Sequence, residues 1–253
     1  MPDFVFDNVK QGKLAEVIAA QIRNEIRSGA ISVGDRLPTE HELIDQLGVS
    51  RATVREALML LEAEGFVQVR AGRHGGAYVT SPRIERLATI LDVMLAVEQT
   101  TTDQLLEARA LMEPLAVRLA STRATDADIT RLQECLDLTE QGRDNRTVVG
   151  EQAARFHVLV AESTHNGVIS ALTATTQQLI YSRASDAFGT STDDTIRAHR
   201  RIFEAIRDHE PDVAARRMVR HVSAFETILG EPIWQSALRD DSGARRHRPV
   251  PLS

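Results

Sequence analysis

The sequence is short of several features, and each shortage narrows the range of structures and locations. Cys135 is the only cysteine, so an intrachain disulfide is impossible and nothing indicates an oxidising compartment. The longest apolar stretch, LATILDVMLAV at 87–97, is interrupted by Asp92 and is too short to cross a bilayer. The N-terminus lacks the basic and apolar pattern of an export signal. We therefore expect a cytoplasmic protein without a membrane role.

Aromatic residues, glycine and proline are also scarce. Aromatics make up 4% of the 253 residues, which include only 14 glycines and 8 prolines. This composition favours long helices over a strand-rich fold, and the length favours two domains. The formal net charge of −6 argues against a histone-like protein that binds nucleic acid through its overall charge. A local basic site is still compatible with it.

The first 80 residues predict three helices followed by a hairpin. Apolar residues recur at helical spacing from Leu14 to Ile26, and Thr39 with Glu42 forms a capping box for a second helix at about 40–47. Ser50 is a good N-cap for a third helix, whose apolar stripe contains Val54, Ala57, Leu58 and Leu61. FVQVR and AYVT alternate as strands around the glycine-rich turn AGRHGG. This order predicts a winged helix-turn-helix.

The third helix carries side chains that suit a DNA groove. Arg51 and Arg55 lie opposite the apolar stripe, and an arginine can donate two parallel hydrogen bonds to O6 and N7 of guanine. Ser50 and Thr53, near the helix start, can hold phosphate oxygens. An ordinary solvated helix face is the alternative.

The hairpin tip favours the DNA interpretation over the solvated face. Arg73 and His74 lie at this tip, where a wing would reach the neighbouring groove. The third helix, the second helix and the hairpin would then meet one ligand.

From residue 84 the chain predicts an all-helical bundle of about seven helices, so the fold class is mainly α. The predicted segments are 84–98, 102–122, 126–142, 148–163, 168–187, 193–208 and 211–229. We divide the chain into a winged helix-turn-helix at 1–80, a linker at 81–83, the helical domain at 84–230 and a tail at 231–253. The tail is rich in charge and poor in apolar residues, which predicts disorder.

Residues 34–79, GDRLPTEHELIDQLGVSRATVREALMLLEAEGFVQVRAGRHGGAYV, resemble the DNA-binding domain of the GntR family of bacterial transcriptional regulators. The resemblance implies DNA contacts from the recognition helix and the wing. The set we expect contains Arg36, His41, Ser50, Arg51, Thr53, Arg55, Arg73, His74 and Gly75. In the family an arginine that reaches DNA commonly follows the PTE triplet, and His41 stands at that position here.

Three segments of the second domain resemble the helical effector domain of the FadR subgroup, called FCD. They are EARALMEPLAVRLA at 107–120, ARFHVLVAESTHN at 154–166 and AHRRIFEAIRDHEPDVAARRMVRH at 198–221. In many members an acidic residue and three histidines hold a metal. His157, His199 and His221 match the histidines, but the acidic position, one helical turn before His157, is Ala153.

The missing carboxylate has no replacement on the same helix face. Glu151 and Gln152 are five or six residues before His157 and point away from it. Three neutral imidazoles can still hold zinc and leave an open position for water or an effector carboxylate. The alternative is that the histidines are ordinary polar residues of a pocket or of the bundle.

A small-molecule effector is expected in the helical domain. The resemblance places Arg109 and Glu113 near a cavity, and Arg183 offers a further cation for a carboxylate-bearing or acyl effector. A simple ion pair within the helix, between Arg109 and Glu113, is the alternative.

The sequence thus predicts a dimeric, effector-responsive repressor that binds a pseudo-palindromic DNA operator. The rival is a three-histidine zinc metalloenzyme, against which we find no HExxH-type pairing of glutamate with histidine. An architectural DNA-binding protein is disfavoured by the acidic charge and the large helical domain.

Overall fold

The computed structural model describes residues 10–72, 75–184 and 191–229, and the side chains of 14–72, 75–183 and 191–223. The chain forms two compact units, one ending at Arg86 and the other starting at Leu87. Residues 81–83 have no regular secondary structure. The predictions for the tail at 231–253, for Arg73 and for His74 lie outside the described residues.

The first unit contains three helices and one antiparallel hairpin, in the predicted order. The helices are α1 (Lys10–Ser28), α2 (Glu40–Leu47) and α3 (Arg51–Glu64), and the strands are β1 (Val67–Arg70) and β2 (Gly76–Val79). Val67 pairs with Val79 at one end of this short ladder, and Arg70 pairs with Gly76 at the other. Helix α1 extends beyond both ends of the 14–26 segment.

Local sequence signals explain where these helices begin and end. The Thr39 hydroxyl accepts a bond from the Glu42 N–H, and the Glu42 carboxylate accepts one from the Thr39 N–H, which completes the predicted capping box. Gly48 and Gly65 end α2 and α3 with left-handed backbone angles that suit glycine. The apolar stripe of α3 is buried as predicted, at Val54, Ala57, Leu58 and Leu61.

The second unit is helical throughout its described part, which confirms the mainly α fold class. Its seven helices are α4 (Ile84–Val97), α5 (Thr102–Arg123), α6 (Asp126–Gln141), α7 (Arg146–Glu162), α8 (Gly167–Ala184), α9 (Thr192–Arg207) and α10 (Pro211–Leu229). Helix α4 starts within the last residues of the first unit. Helix α5 packs against α7, α8, α9 and α10. The core includes Val117, Leu132, Leu136, Phe156, Ile202, Ile206 and Met218.

Within the described ranges, no helix has both the length and the apolar character needed to cross a membrane.

Candidate functional site

The start of the recognition helix α3 is a tight N-cap. The Ser50 hydroxyl accepts a hydrogen bond from the Thr53 N–H at 3.2 Å, and the two hydroxyl oxygens are 2.7 Å apart. Ser50 is exposed, whereas Thr53 is buried. This burial disfavours a direct contact between the Thr53 side chain and DNA, so Ser50 is the better candidate for a phosphate contact.

Arg51 and Arg55 are exposed on α3 and converge on one carboxylate of α2. Arg51 Nε lies 3.3 Å from Glu40 Oε2, and Arg55 Nε lies 3.0 Å from the same oxygen. Such exposed ion pairs contribute at most about 1 kcal/mol, so a DNA ligand can displace them. Both contacts use Nε rather than the terminal nitrogens. Sequence analysis missed Glu40.

Gly75, the one predicted wing residue that is described, lies between β1 and β2 and is in contact with Arg36. Arg36 Nη2 donates to the Gly75 carbonyl oxygen at 2.8 Å, and Arg36 also forms an isolated bridge to Tyr78. A Cβ atom at Gly75 would come within 2.4 Å of the Arg70 carbonyl oxygen, so only glycine fits there. Arg36 therefore anchors the wing. His41 is almost fully exposed, with Nδ1 3.1 Å from Asp45 Oδ2.

The three predicted histidines come together inside the second unit. His157 of α7, His199 of α9 and His221 of α10 are buried, and their potential ligand atoms lie within 4.8 Å of one another. His199 Nε2 is 3.0 Å from His221 Nε2, which is 3.2 Å from His157 Nε2. The Phe156 ring stacks on His199 with the centroids 4.3 Å apart. The three Nε2 atoms thus face one small volume.

Arg109 and Glu113 of α5 join the same buried group. Arg109 Nε lies 3.1 Å from Glu113 Oε1, and Arg109 Nη2 donates to His157 Nε2 at 2.7 Å. Glu113 Oε2 lies 2.8 Å from His157 Nδ1, and Gln177 of α8 donates to Glu113 Oε1 at 2.5 Å. The ion pair within the helix is therefore present, and the role of Arg109 and Glu113 in effector binding stays a prediction. Sequence analysis missed Gln177.

Arg183, the third predicted effector residue, makes its contacts elsewhere. Its guanidinium forms an ion pair with Asp92 of α4, with Nη2 2.7 Å from Oδ1, and Nη1 donates to the Thr100 carbonyl oxygen at 3.1 Å. Arg183 thus ties α8 to α4, and this engagement disfavours its predicted role in effector binding.

Burial and neighbouring charges fix the protonation states of this network. Burial lowers the pKa of His157, and it lowers those of His199 and His221 well below the ordinary histidine value, with Arg109 acting in the same direction. Burial opposes ionisation of Glu113, but Arg109, His157 and Gln177 outweigh it and lower its pKa to about 2. The histidines are therefore neutral imidazoles beside an ionised carboxylate and a guanidinium.

The donor set fits a metal ion in three respects. Zinc–nitrogen bonds of about 2.0–2.1 Å place tetrahedral ligands about 3.3–3.4 Å apart, close to the observed Nε2 separations of 3.0 and 3.2 Å. The three Nε2 atoms approach one another, so one cation could bind the lone pairs of all three. Glu113 Oε2 lies 2.8 Å from His157 Nδ1, the position from which an outer carboxylate would orient a metal-binding imidazole.

Comparisons with known proteins agree with both halves of this architecture. Residues 14–79 match the family described as bacterial regulatory proteins, gntR family, and residues 104–224 match the FCD domain. The Exu regulon transcriptional regulator of Escherichia coli (strain K12) is 31% identical over 235 residues, covering 86% of this chain and 84% of the relative. The galactonate operon transcriptional repressor of the same strain is 27% identical over 222 residues, covering 85% and 96%.

A solved structure supports the same assignment. The structure of the Streptococcus agalactiae GntR protein matches with a TM-score of 0.65 and 26% identity, covering 84% of this chain and 99% of that chain. Together with the relatives, this match spans both the winged head and the helical domain. The chain belongs to the GntR family of DNA-binding transcriptional regulators and carries an FCD effector domain.

Proposed function

We propose that the protein is an effector-responsive repressor whose dimer binds a pseudo-palindromic operator. The observation that carries this proposal is the exposed convergence of Arg51 and Arg55 on Glu40, on a helix whose opposite face is buried. Glu40 orients two guanidinium groups, and their terminal nitrogens can each form the fork that pairs with guanine. Family membership favours this function over the metalloenzyme alternative, since the relatives are transcriptional regulators.

The dimer has a candidate interface on α4. This helix is apolar on two sides: Ala88, Leu91 and Leu95 face the bundle. Leu87, Ile90, Met94 and Val97 are exposed on the other side at the 3-4-3 spacing of a coiled-coil seam. These positions are symmetric about residue 92, so an antiparallel second copy would match Leu87 with Val97 and Ile90 with Met94. We assign this face to a second copy of the chain.

The effector is proposed to be a small carboxylate that reaches the buried Arg109 and histidine cluster. Arg109 supplies charged donors that suit a carboxylate, and His157 and Gln177 add polar groups to the same network. The galactonate operon repressor offers a parallel in name, since galactonate is a hydroxy acid. That relative is named a repressor, and we propose repression as the mode of action here.

A divalent metal such as zinc would be held by His157, His199 and His221. When bound, it would supply a Lewis acid for an oxygen ligand of the effector. The chain's own residues perform the other tasks: Glu113 fixes the tautomer of His157 by facing Nδ1, and Arg109 offers hydrogen-bond donors to an anion. These residues and the metal would together bind the effector without breaking any of its bonds.

Selection of operators from random duplexes by the full-length protein tests the proposed function. We expect a motif with two inverted half-sites separated by about one helical turn. Enrichment of a single unpaired half-site would contradict the dimer, and the absence of any enriched motif would contradict operator recognition. The selection is run with and without zinc, and with and without D-galactonate, so that DNA binding is seen even if one of these ligands prevents it.

A further inference from the structure

We propose that metal retention by this chain depends on a carboxylate ligand, because the helix turn that precedes His157 presents Ala153 to the cluster instead of an acid. The inference rests on the proposed carboxylate effector and adds how that effector is sensed: metal and carboxylate bind as a pair. With alanine rather than an acid at position 153, the chain would respond only when the metal and the carboxylate are both present.

The position of Ala153 follows from the helix it occupies. Helix α7 buries Val149, Phe156 and His157, and Ala153 is half-buried between them, one turn before His157 on the same face. In the described part of the chain, the cluster of mutually close ligand atoms contains the three histidines and no carboxylate. Glu113 faces the opposite ring nitrogen of His157, so it supports the cluster from behind.

Charge makes a metal ion alone unfavourable in this volume. Arg109 and Glu113 form a buried ion pair whose formal charges cancel, and histidine binds a metal through a neutral imidazole, so the residues of the cluster supply no negative charge to offset a metal ion. A divalent ion would add two uncompensated positive charges in a buried place. A carboxylate from the effector removes one of them. Each partner therefore favours the other.

Hydrogen bonding leads to the same coupling. The Arg109 Nη2 group donates to His157 Nε2 at 2.7 Å, and a metal would need the lone pair on that nitrogen. Metal binding therefore takes the acceptor away from a buried charged donor, which is costly. A carboxylate at the open metal position can receive that donor. Because the coupling is reciprocal, metal must raise carboxylate affinity by the same factor as carboxylate raises metal affinity.

The test is equilibrium dialysis of metal-free, full-length protein against zinc at a fixed free concentration. The added probes are acetate and D-galactonate, each compared with its uncharged amide. We expect either carboxylate to tighten zinc binding by the wild type by about tenfold or more, and its amide to leave it unchanged. Equal zinc binding in carboxylate and amide, or no zinc binding under any condition, would overturn the proposal.

Two variants locate the effect at Ala153. Ala153→Asp should bind zinc without a carboxylate and gain less than about threefold from one, since the protein then supplies the anion. Ala153→Asn has the same shape without the charge and should keep the wild-type dependence on carboxylate. Should Ala153→Asp fail to fold, the wild-type comparison of carboxylate with amide still decides. The dialysis contains no DNA, so its failure and a failed operator selection are separate results.

Discussion

Replacing Arg109 by methionine should strongly destabilise the helical unit. Both side chains of the Arg109–Glu113 pair are only 4% exposed, and their atoms are 3.1 Å apart. Methionine keeps much of the volume but leaves the Glu113 carboxylate without its cation. Removing one partner of a buried ion pair costs about 3–5 kcal/mol, a large part of the stability of an ordinary domain.

A double-mutant cycle makes this expectation specific to the pair. Arg109→Met, Glu113→Gln and the double variant are compared by urea unfolding at pH 7, followed by circular dichroism. The double variant should be more stable than Arg109→Met, with a coupling of about 2 kcal/mol or more. Arg143→Met is the matched control, because Arg143 forms exposed ion pairs with Glu140 and Asp193 and should matter far less. Additive costs, or equal costs for Arg109→Met and the control, would refute the reasoning.

Three further predictions concern charge, pH and assembly. Glu40→Gln should strengthen binding to unrelated duplexes and lower the operator-to-unrelated affinity ratio, measured by fluorescence anisotropy, because it removes an anion that positions two arginines; an unchanged ratio would reject that role. Below pH 6.5 the unfolded chain protonates histidines that stay neutral in the folded chain. The free energy of unfolding should therefore decrease by about 1.4 kcal/mol per histidine for each unit by which the pH is lowered, and His199→Asn should make this slope shallower. An identical slope would show that His199 is not neutral when buried. Ile90→Glu should sediment as a monomer at micromolar concentration, where we expect the wild type to sediment as a dimer; a variant that stays dimeric would move the interface away from α4.

Features encoded by neighbouring residues were predicted well from the sequence. The second helix and the capping box are correct because Thr39 and Glu42 are three residues apart and satisfy each other's backbone. The α3 stripe is correct because helical periodicity selects one buried face. Helices α4 to α10 begin and end within about two residues of their predicted limits wherever the backbone is described. Local chemistry is sufficient for these features.

Features that depend on tertiary contacts were predicted less well. Gln177 bonds to Glu113 across 64 positions of the chain, and no spacing rule points to it. Thr53 carries a hydroxyl group that could bind phosphate, yet its side chain is buried and its hydroxyl contacts that of Ser50. Arg183 was predicted as a cation for an effector, but in the fold it forms an ion pair with Asp92, which lies 91 positions earlier in the chain. The three histidines were found through a family resemblance, because residues on three helices share no local pattern.

The most direct test of operator recognition is the affinity of wild type and Arg55→Ala for the selected operator and for a scrambled duplex of equal length. Arg200→Ala is the control, because Arg200 is an exposed arginine on α9 of the helical unit. We predict that Arg55→Ala loses about 1–3 kcal/mol of binding free energy on the operator and much less on the scrambled duplex. Equal losses on both duplexes, or no loss on the operator, would contradict base recognition by α3.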